Sequence, residues 1–251
     1  MDKLFNMVEI EVNSHCNRAC WYCPNSIAKR KETGEMSEEV FDELMRQLKS
    51  VGFKGRISYH FYGEPLLCSK IEQFVETSKR YLPESLNIIY TNGDYLTLEK
   101  MDALFTAGVD RFIVTNHAGK ASPFKQVYDQ IPEHFKKKIV YNDYKELVLS
   151  NRGGVLEDKI PKSSEDLVPC YVPSSLVVVT LKGNVLPCFE DFHQTKNMGN
   201  IMEANIAEIW NSETYKLFRE ELKKGNRCSA DICRKCNNFS VQSEEMYEYV
   251  L

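Results

Sequence analysis

Residues 16–25 read CNRACWYCPN, and the spacing of Cys16, Cys20 and Cys23 (C-x3-C-x2-C) decides how the rest of the chain is read. Three thiolates on one tight loop hold three corners of a [4Fe–4S] cube, since each iron of such a cluster takes one cysteine sulfur. The fourth iron then has no protein ligand. It stands open to a small molecule that chelates through an amine and a carboxylate. A zinc knuckle is the competing account. It asks for a fourth Cys or His at finger-like spacing, and the nearest candidate is His15.

Composition agrees with an intracellular metalloprotein. The chain has 251 residues, is 43% hydrophobic and carries a net charge of −4. That suits one large domain, or one domain with a small appendage, around a proper core. With no basic block, nucleic acid is not an expected partner. The N-terminal MDKLFNMVEIEVN alternates as a strand does and has no signal-peptide apolar run. No stretch approaches the ~20 apolar residues that span a bilayer, so a cytoplasmic protein without membrane contact is expected. Nine cysteines in such a chain are poor candidates for structural disulfides. Eight fall into two groups, the trio and then Cys170, Cys188, Cys228, Cys233 and Cys236. Cys68 stands apart in an apolar stretch and reads as a packed thiol.

Up to residue 145 strands and helices alternate. Strands are expected at 7–13, 56–62, 86–91, 110–115 and 138–142, and helices at about 37–50, 69–81, 97–107 and 123–136. The first helix starts at Ser37 with Glu38 and Glu39 in its first turn, and Val40, Phe41, Leu44, Met45 and Leu48 follow the helical period. Alternation of this kind predicts parallel βαβ units with right-handed crossovers. Five units are too few for a closed eight-unit barrel, so the expected α/β fold is an open, partial parallel barrel. The expected division is 1–150 for the barrel, 151–169 for a linker or active-site loop, and 170–251 for a small C-terminal domain. That last part holds a hairpin, LVVVTLKGNVLPCF, turning at Gly183-Asn184, and helices near 206–223 and 229–247.

Ligands of such folds sit at the C-terminal ends of the strands. The second strand ends in Tyr62-Gly63-Glu64-Pro65, the third in Thr91-Asn92-Gly93 and the fourth in Thr115-Asn116-His117. Glycine permits close backbone approach, and a carboxylate accepts from an ammonium. The Thr and Asn groups suit either ligand binding or plain turn chemistry. In the C-terminal part Cys170, Cys188, Cys233 and Cys236 make four ligands, a full set for one more cube or for a zinc ribbon. Cys228 reads as a bystander. Glu190 follows Cys188 closely enough to face a pocket between the two cysteine groups. Tyr62, Tyr90 and Phe189 are candidate walls, though core packing is the commoner fate of aromatic residues.

The cysteine trio and the GEP segment resemble the radical SAM superfamily, in which the chelating molecule is S-adenosylmethionine (SAM). The later cysteines resemble its SPASM/twitch extension in the form that holds a single auxiliary [4Fe–4S] cluster. CNRACWYCPN, FYGEPLLC, IIYTNGD, LVLSNRGG, GNVLPCFEDF and CRKCNN resemble the motifs of the SAM-dependent 2-deoxy-scyllo-inosamine dehydrogenases of butirosin-type aminoglycoside biosynthesis. The resemblance implies two [4Fe–4S] clusters, with Tyr22 packing against the adenine and Gly63, Glu64 and Pro65 holding the methionyl amine. Thr91, Asn92, Asn116 and His117 fall to the rest of SAM or to the substrate. It also implies oxidation of a secondary alcohol of an aminocyclitol to a ketone. A 5′-deoxyadenosyl radical would remove the carbinol hydrogen, and the auxiliary cluster would take the remaining electron. Arg152 is the position offered for handling the hydroxyl proton. Since an arginine is a poor base, its expected role is electrostatic acidification. An external flavodoxin or ferredoxin system would supply electrons.

A peptide-modifying radical SAM enzyme and a redox-neutral epimerase that uses Cys228 or Cys68 as hydrogen donor remain open at this point, as does a non-catalytic iron–sulfur or zinc module. The triple variant Cys16→Ala, Cys20→Ala, Cys23→Ala separates the classes. It is expected to keep about four irons, one cube's worth, and to lose all SAM cleavage, measured as 5′-deoxyadenosine. Retained cleavage would refute the assignment of the first site.

Overall fold

The protein is described by a computed structural model covering residues 4–117, 122–162 and 168–238. Five strands appear in the expected places: β1 (Met7–Ile10), β2 (Arg56–Tyr59), β3 (Leu86–Thr91), β4 (Arg111–Asn116) and β5 (Ile139–Asp143). The helices α1 (Glu38–Ser50), α2 (Ile71–Tyr81), α3 (Leu98–Ala107), α4 (Pro123–Gln130) and α5 (Glu133–Lys136) separate them. Ser37 caps α1, its Oγ accepting from Val40 N at 3.2 Å, as its place before two glutamates predicts. The single helix expected over 123–136 is broken. Pro132 lacks a donor and forces Ile131 into an extended conformation with ψ 130°.

The hairpin expected in the small C-terminal domain pairs with the barrel strands. Among the described residues there is one seven-stranded sheet in the order β5-β4-β3-β2-β1-β6-β7. Here β6 (Leu176–Val179) runs parallel to β1, with Met7 opposite Leu176 and Ile10 opposite Val179, while β7 (Val185–Leu186) returns antiparallel. The partial barrel therefore has six parallel strands, one more than the alternation in the first 145 residues gives. The reason lies in LVVV: apolar at every position, it is the composition of a parallel strand buried on both faces rather than of a hairpin edge, and all four residues are buried. The turn after it uses Gly183 at φ +82°.

Alternation along the strands sorts the faces. Val8, Ile10, Ile57, Tyr59, Ile89, Phe112 and Val114 pack with the apolar stripes of α1, α2 and α3 in the main core. Met7, Leu176, Val178 and Leu186 face the other way, into a smaller cluster with Tyr62 and Phe192. That inner face also carries Glu9, Ser58, His60 and Tyr90 by the same alternation and register, so it is far more polar than the outer one.

The C-terminal helices form a brace on the outer layer. The expected helix over 206–223 is two helices, α7 (Ile206–Asn211) and α8 (Glu213–Lys223), divided at Ser212, which leaves the helical conformation to cap α8. The helix expected over 229–247 is helical only at α9 (Asp231–Lys235) within the described residues, and 239–251 lie outside them. A short α6 (Val172–Ser175) precedes β6. Trp210 of α7 packs edge-on against Phe5 at 5.2 Å and Tyr215 at 5.1 Å. Buried Gln47 of α1 ties the brace down, donating to Ile201 O at 2.8 Å and accepting from Ile206 N at 2.7 Å. Replacing Gln47 with Ala strands both backbone groups, each worth about 1–3 kcal/mol when buried unpaired. The expected result is a loss of about 2 kcal/mol in urea unfolding of the reconstituted protein. A change near zero would show that the brace does not depend on this side chain.

Candidate functional site

The ends of β1–β4 surround a cavity of about 420 Å³, and Cys16, Cys20 and Cys23 line it together. Their loop leaves β1 through Asn13, whose Nδ2 donates to His15 O at 3.0 Å and to Glu64 O at 2.9 Å, while His15 N returns a bond to Asn13 Oδ1. The far side of the loop closes on itself, Cys23 N donating to Cys20 O and Ser26 Oγ to the carbonyls of both. Gly63 lies flat against this base, where a Cβ would fall 1.8 Å from Asn13 O.

The GEP segment differs in detail from a free amine-binding carboxylate. Glu64 is buried, and Oε1 accepts from Thr91 Oγ1 at 2.6 Å and Leu66 N at 3.1 Å, Oε2 from Asn92 N at 2.9 Å. It clamps the ends of β2 and β3 together. Burial raises its pKa, and these three bonds pull it back. Gly63, Glu64, Thr91, Asn92 and His117 line the cavity. Pro65 begins a 3-10 turn, Pro65–Leu67, and neither it nor Asn116 is among the lining residues, though Thr115 is. Tyr22 stacks on Tyr144 (5.7 Å, 10°) and its hydroxyl is hydrogen-bonded to His117 Nδ1. Burial holds His117 down at about 4, so its ring is neutral near pH 7. Tyr144, just past β5, had no sequence signal beyond being aromatic.

The other four cysteines converge as well. Cys170, Cys188, Cys233 and Cys236 line one enclosed recess with Ile232 and Arg227, whereas Cys228 is exposed and Cys68 is buried elsewhere. Backbone N–H groups of Glu190 and Asn238 point at the sulfurs of Cys188 and Cys236, each at 3.3 Å. Burial pushes Cys23 and Cys236 up to about 11 and Cys233 to about 12. Thiolates become favourable in such places when bound cations offset the desolvation. Among the described residues no three Cys, His, Asp or Glu side chains crowd together as the ligands of one small ion would. Three of the seven thiols line the large cavity and the other four line the recess.

Between the cavities lies the SNRGG loop. Arg152, Gly153 and Gly154 have φ of +52°, +61° and +93°, a left-handed run that a non-glycine enters only at a cost. The loop is bolted to the last cysteine pair: Asn151 N donates to Asn237 Oδ1 at 2.7 Å and Asn151 Nδ2 to Lys235 O at 2.8 Å. The Arg152 guanidinium lies 5.8 Å over the Tyr62 ring and 3.5 Å from Glu190 Oε1. Burial pulls its pKa down, but Glu190 and the other acidic groups around it outweigh that and hold it above the ordinary arginine value, so it remains charged. Arg152, Tyr62, Tyr90 and Phe189 line the large cavity. Glu190 does not; it lines the cysteine recess and a separate surface cleft. Asn237, which grips this loop, and Asn238, which donates to Glu190, carried only their place after the cysteine pair as a signal. Glu9, Arg56 and His60 also line the large cavity and read in the sequence as ordinary strand residues.

Comparison with known proteins places this geometry. A family model described as the radical SAM superfamily matches residues 10–149, and one described as an iron–sulfur cluster-binding domain (SPASM) matches 170–237. The chain belongs to the radical SAM superfamily. This radical SAM chain is 56% identical over all 251 residues to an S-adenosyl-L-methionine-dependent 2-deoxy-scyllo-inosamine dehydrogenase of Niallia circulans, covering 100% of each. It matches the crystal structure of BtrN in complex with AdoMet and 2-DOIA with a TM-score of 0.93 and 55% identity, over 99% of each chain. Native anSMEcpe with bound AdoMet shares the fold at a TM-score of 0.51 and 16% identity, over 92% of this chain and 88% of that one. Gly63→Ala tests the close approach that any radical SAM ligand at the GEP segment needs. A methyl group there displaces the cysteine loop, at about 1–3 kcal/mol. The expected outcome is SAM binding weakened at least about fivefold in equilibrium dialysis, since ~1.4 kcal/mol is tenfold. Unchanged binding would show that the loop and strand end move freely.

Proposed function

We propose that the chain is a radical SAM alcohol dehydrogenase that oxidises a secondary alcohol of 2-deoxy-scyllo-inosamine to the ketone, amino-dideoxy-scyllo-inosose, in aminoglycoside antibiotic biosynthesis. The observation that carries this is the 56% identity, end to end, with a SAM-dependent dehydrogenase of that substrate. The two groups of thiols around two separate cavities support it. Residues 1–150 supply five strands of the barrel and bind SAM, 151–169 serve as the active-site loop, and 170–251 carry the auxiliary-cluster cysteines and add β6 to the barrel sheet.

Cys16, Cys20 and Cys23 would hold one [4Fe–4S] cluster, and Cys170, Cys188, Cys233 and Cys236 the other. When bound, the first cluster with SAM supplies the hydrogen-abstracting radical, and the second accepts the electron left on the substrate. The chain's own residues do the rest. Gly63 lets the backbone approach the methionyl group, and Glu64 fixes the strand ends that meet it, with Oε2 keeping one acceptor position. Pro65 sets the turn behind them. Tyr22, paired with His117, presents a flat face for the adenine, while Thr91 and Asn92 offer hydroxyl and amide groups for ribose and carboxylate; Asn116, off the cavity wall, is left out of this role.

Tyr62 and Phe189 wall the substrate end. The Tyr62 hydroxyl donates to Phe189 O at 2.7 Å, so its polar tip is occupied and its ring face is what the cavity meets. Such walls exclude water and competing hydrogen donors. Tyr90 closes another side. Arg152 keeps its proton and lowers the pKa of the substrate hydroxyl through charge, so that the hydroxyl proton passes to solvent; with the hydrogen atom and the electron already accounted for, its loss completes the ketone. Glu190 stands beside it at the edge of the site. An external flavodoxin or ferredoxin system supplies the first electron, and the enzyme acts in the cytoplasm. Among the described residues no helix is long and apolar enough to cross a membrane.

The test is an anaerobic incubation of reconstituted enzyme with SAM, dithionite and 2-deoxy-scyllo-inosamine, followed by mass spectrometry. The expected result is 5′-deoxyadenosine and a product lighter by two hydrogens, formed one to one. Deoxyadenosine with unchanged cyclitol mass would overturn the dehydrogenase reading and favour an epimerase or another substrate.

A further inference from the structure

The inner floor of the large cavity carries polar groups that the scheme above leaves without a task. Glu9 on β1, Arg56 at the start of β2 and His60 just past its end all line it. Glu9 is 3% exposed and Arg56 6%. Glu9 Oε2 lies 3.4 Å from His60 Nε2. The remaining atoms have no such neighbour: Glu9 Oε1, His60 Nδ1, and Arg56 Nε and Nη1 are buried without a hydrogen-bond partner in the chain. The group is held rigidly, His60 stacking on Tyr90 at 4.2 Å and the Arg56 guanidinium lying 5.9 Å over the same ring. Buried polar atoms are almost always satisfied in folded proteins. Four that are not, on one wall of one cavity, mark a surface shaped for a polar ligand.

Glu190 makes the contrast. Its carboxylate accepts from Ser150 Oγ at 2.8 and 3.0 Å, from Asn238 Nδ2 at 2.7 Å and from Arg152 Nη1 at 3.5 Å. It already has a cation and two neutral donors. An incoming ammonium would have to displace one of them.

We propose that Glu9, with His60 and Arg56 beside it, is the subsite that anchors the substrate's ammonium group and its neighbouring hydroxyls. This rests on the aminocyclitol reading. Glu9 Oε1 accepts from the ammonium in a charge-assisted bond, Arg56 Nε and Nη1 donate to hydroxyl oxygens, and His60 Nδ1 completes the set. The titration behaviour agrees with the geometry. Burial pushes the Glu9 carboxyl up to about 8, against the pull of Arg56 and Arg152, and a cation arriving at Oε1 offsets that penalty. Burial, with Arg56 and Arg152, holds His60 down at about 3, so the imidazole brings no competing charge.

The experiment compares two substrates on reconstituted holoenzyme: the aminocyclitol, and the same ring with a hydroxyl in place of the amine. The quantity read is the ratio of their kcat/KM values, in which losses of folded or cluster-loaded enzyme cancel. Glu9→Gln is expected to lower the wild-type preference for the amine at least about tenfold, the lower end for a hydrogen bond to a charged group. Glu190→Gln is expected to lower rates on both substrates and keep the preference. A preference retained in Glu9→Gln, or lost in Glu190→Gln instead, overturns the proposal. Should Glu9→Gln yield no soluble enzyme, the same ratio on Glu9→Asp decides. That variant keeps the charge on a shorter arm, so an unchanged preference there counts against the subsite. Failure of the aminocyclitol reading itself is distinct, since wild-type enzyme would then oxidise neither ring.

Discussion

The strand β1 is held on both sides, by β2 and by β6, each in parallel register, and the rest of the site follows from that constraint. Parallel neighbours send their C-terminal ends to the same edge of a sheet. The cysteine loop after β1, the GEP segment after β2 and the polar ends of β3 and β4 therefore meet at one rim without any long-range design. β6 brings the segment that leads to Cys188 onto the same sheet. Without that pairing the auxiliary cysteines would sit on an appendage, free to vary their distance from the first trio.

What fixes the distance from the other side is the loop that carries Arg152. Three consecutive residues in the left-handed region would be unstable alone. They persist because Asn151 is hydrogen-bonded to Asn237 and Lys235, and Gly153 and Gly154 leave no room for side chains against Ile232 and Lys235. The loop is thus shaped by the segment that carries Cys233 and Cys236. Asn238 then turns back to Glu190, and Glu190 to Arg152. Order at the recess lined by Cys170, Cys188, Cys233 and Cys236 and position of the guanidinium are one mechanical unit.

Much of this was legible in the sequence, for identifiable reasons. Cysteine spacing reports iron chemistry because each thiolate takes one iron, and the strand–helix alternation of the first 145 residues reports parallel pairing because helical crossovers impose it. The pairing of β6 with β1 was harder to see. LVVV next to Gly183-Asn184 carries two local signals at once, a hairpin turn and a doubly buried strand, and local reading followed the turn. The breaks at Ile131-Pro132 and Ser212 were also local, but helical periodicity runs across them. Glu9, Arg56 and His60 gave no signal, since one charged residue in a strand is ordinary until the register shows that three such residues face the same enclosed space.

That inner face resolves a tension in the site. A radical intermediate asks for dry, unreactive walls, while a cationic, hydroxylated ring asks for polar ones. The cavity meets both demands with different side chains. Tyr62, Phe189 and Leu176 give it apolar surface, and Glu9, Arg56 and His60 line it with polar groups. None of Glu9, Arg56 or His60 bears a hydrogen that a carbon radical takes as readily as one from a thiol or an activated C–H bond. Polarity is thereby supplied through groups that hold a substrate without competing for its chemistry. Thiols and phenol hydroxyls are the hydrogen donors that would compete, and the Tyr62 hydroxyl is engaged with Phe189 O.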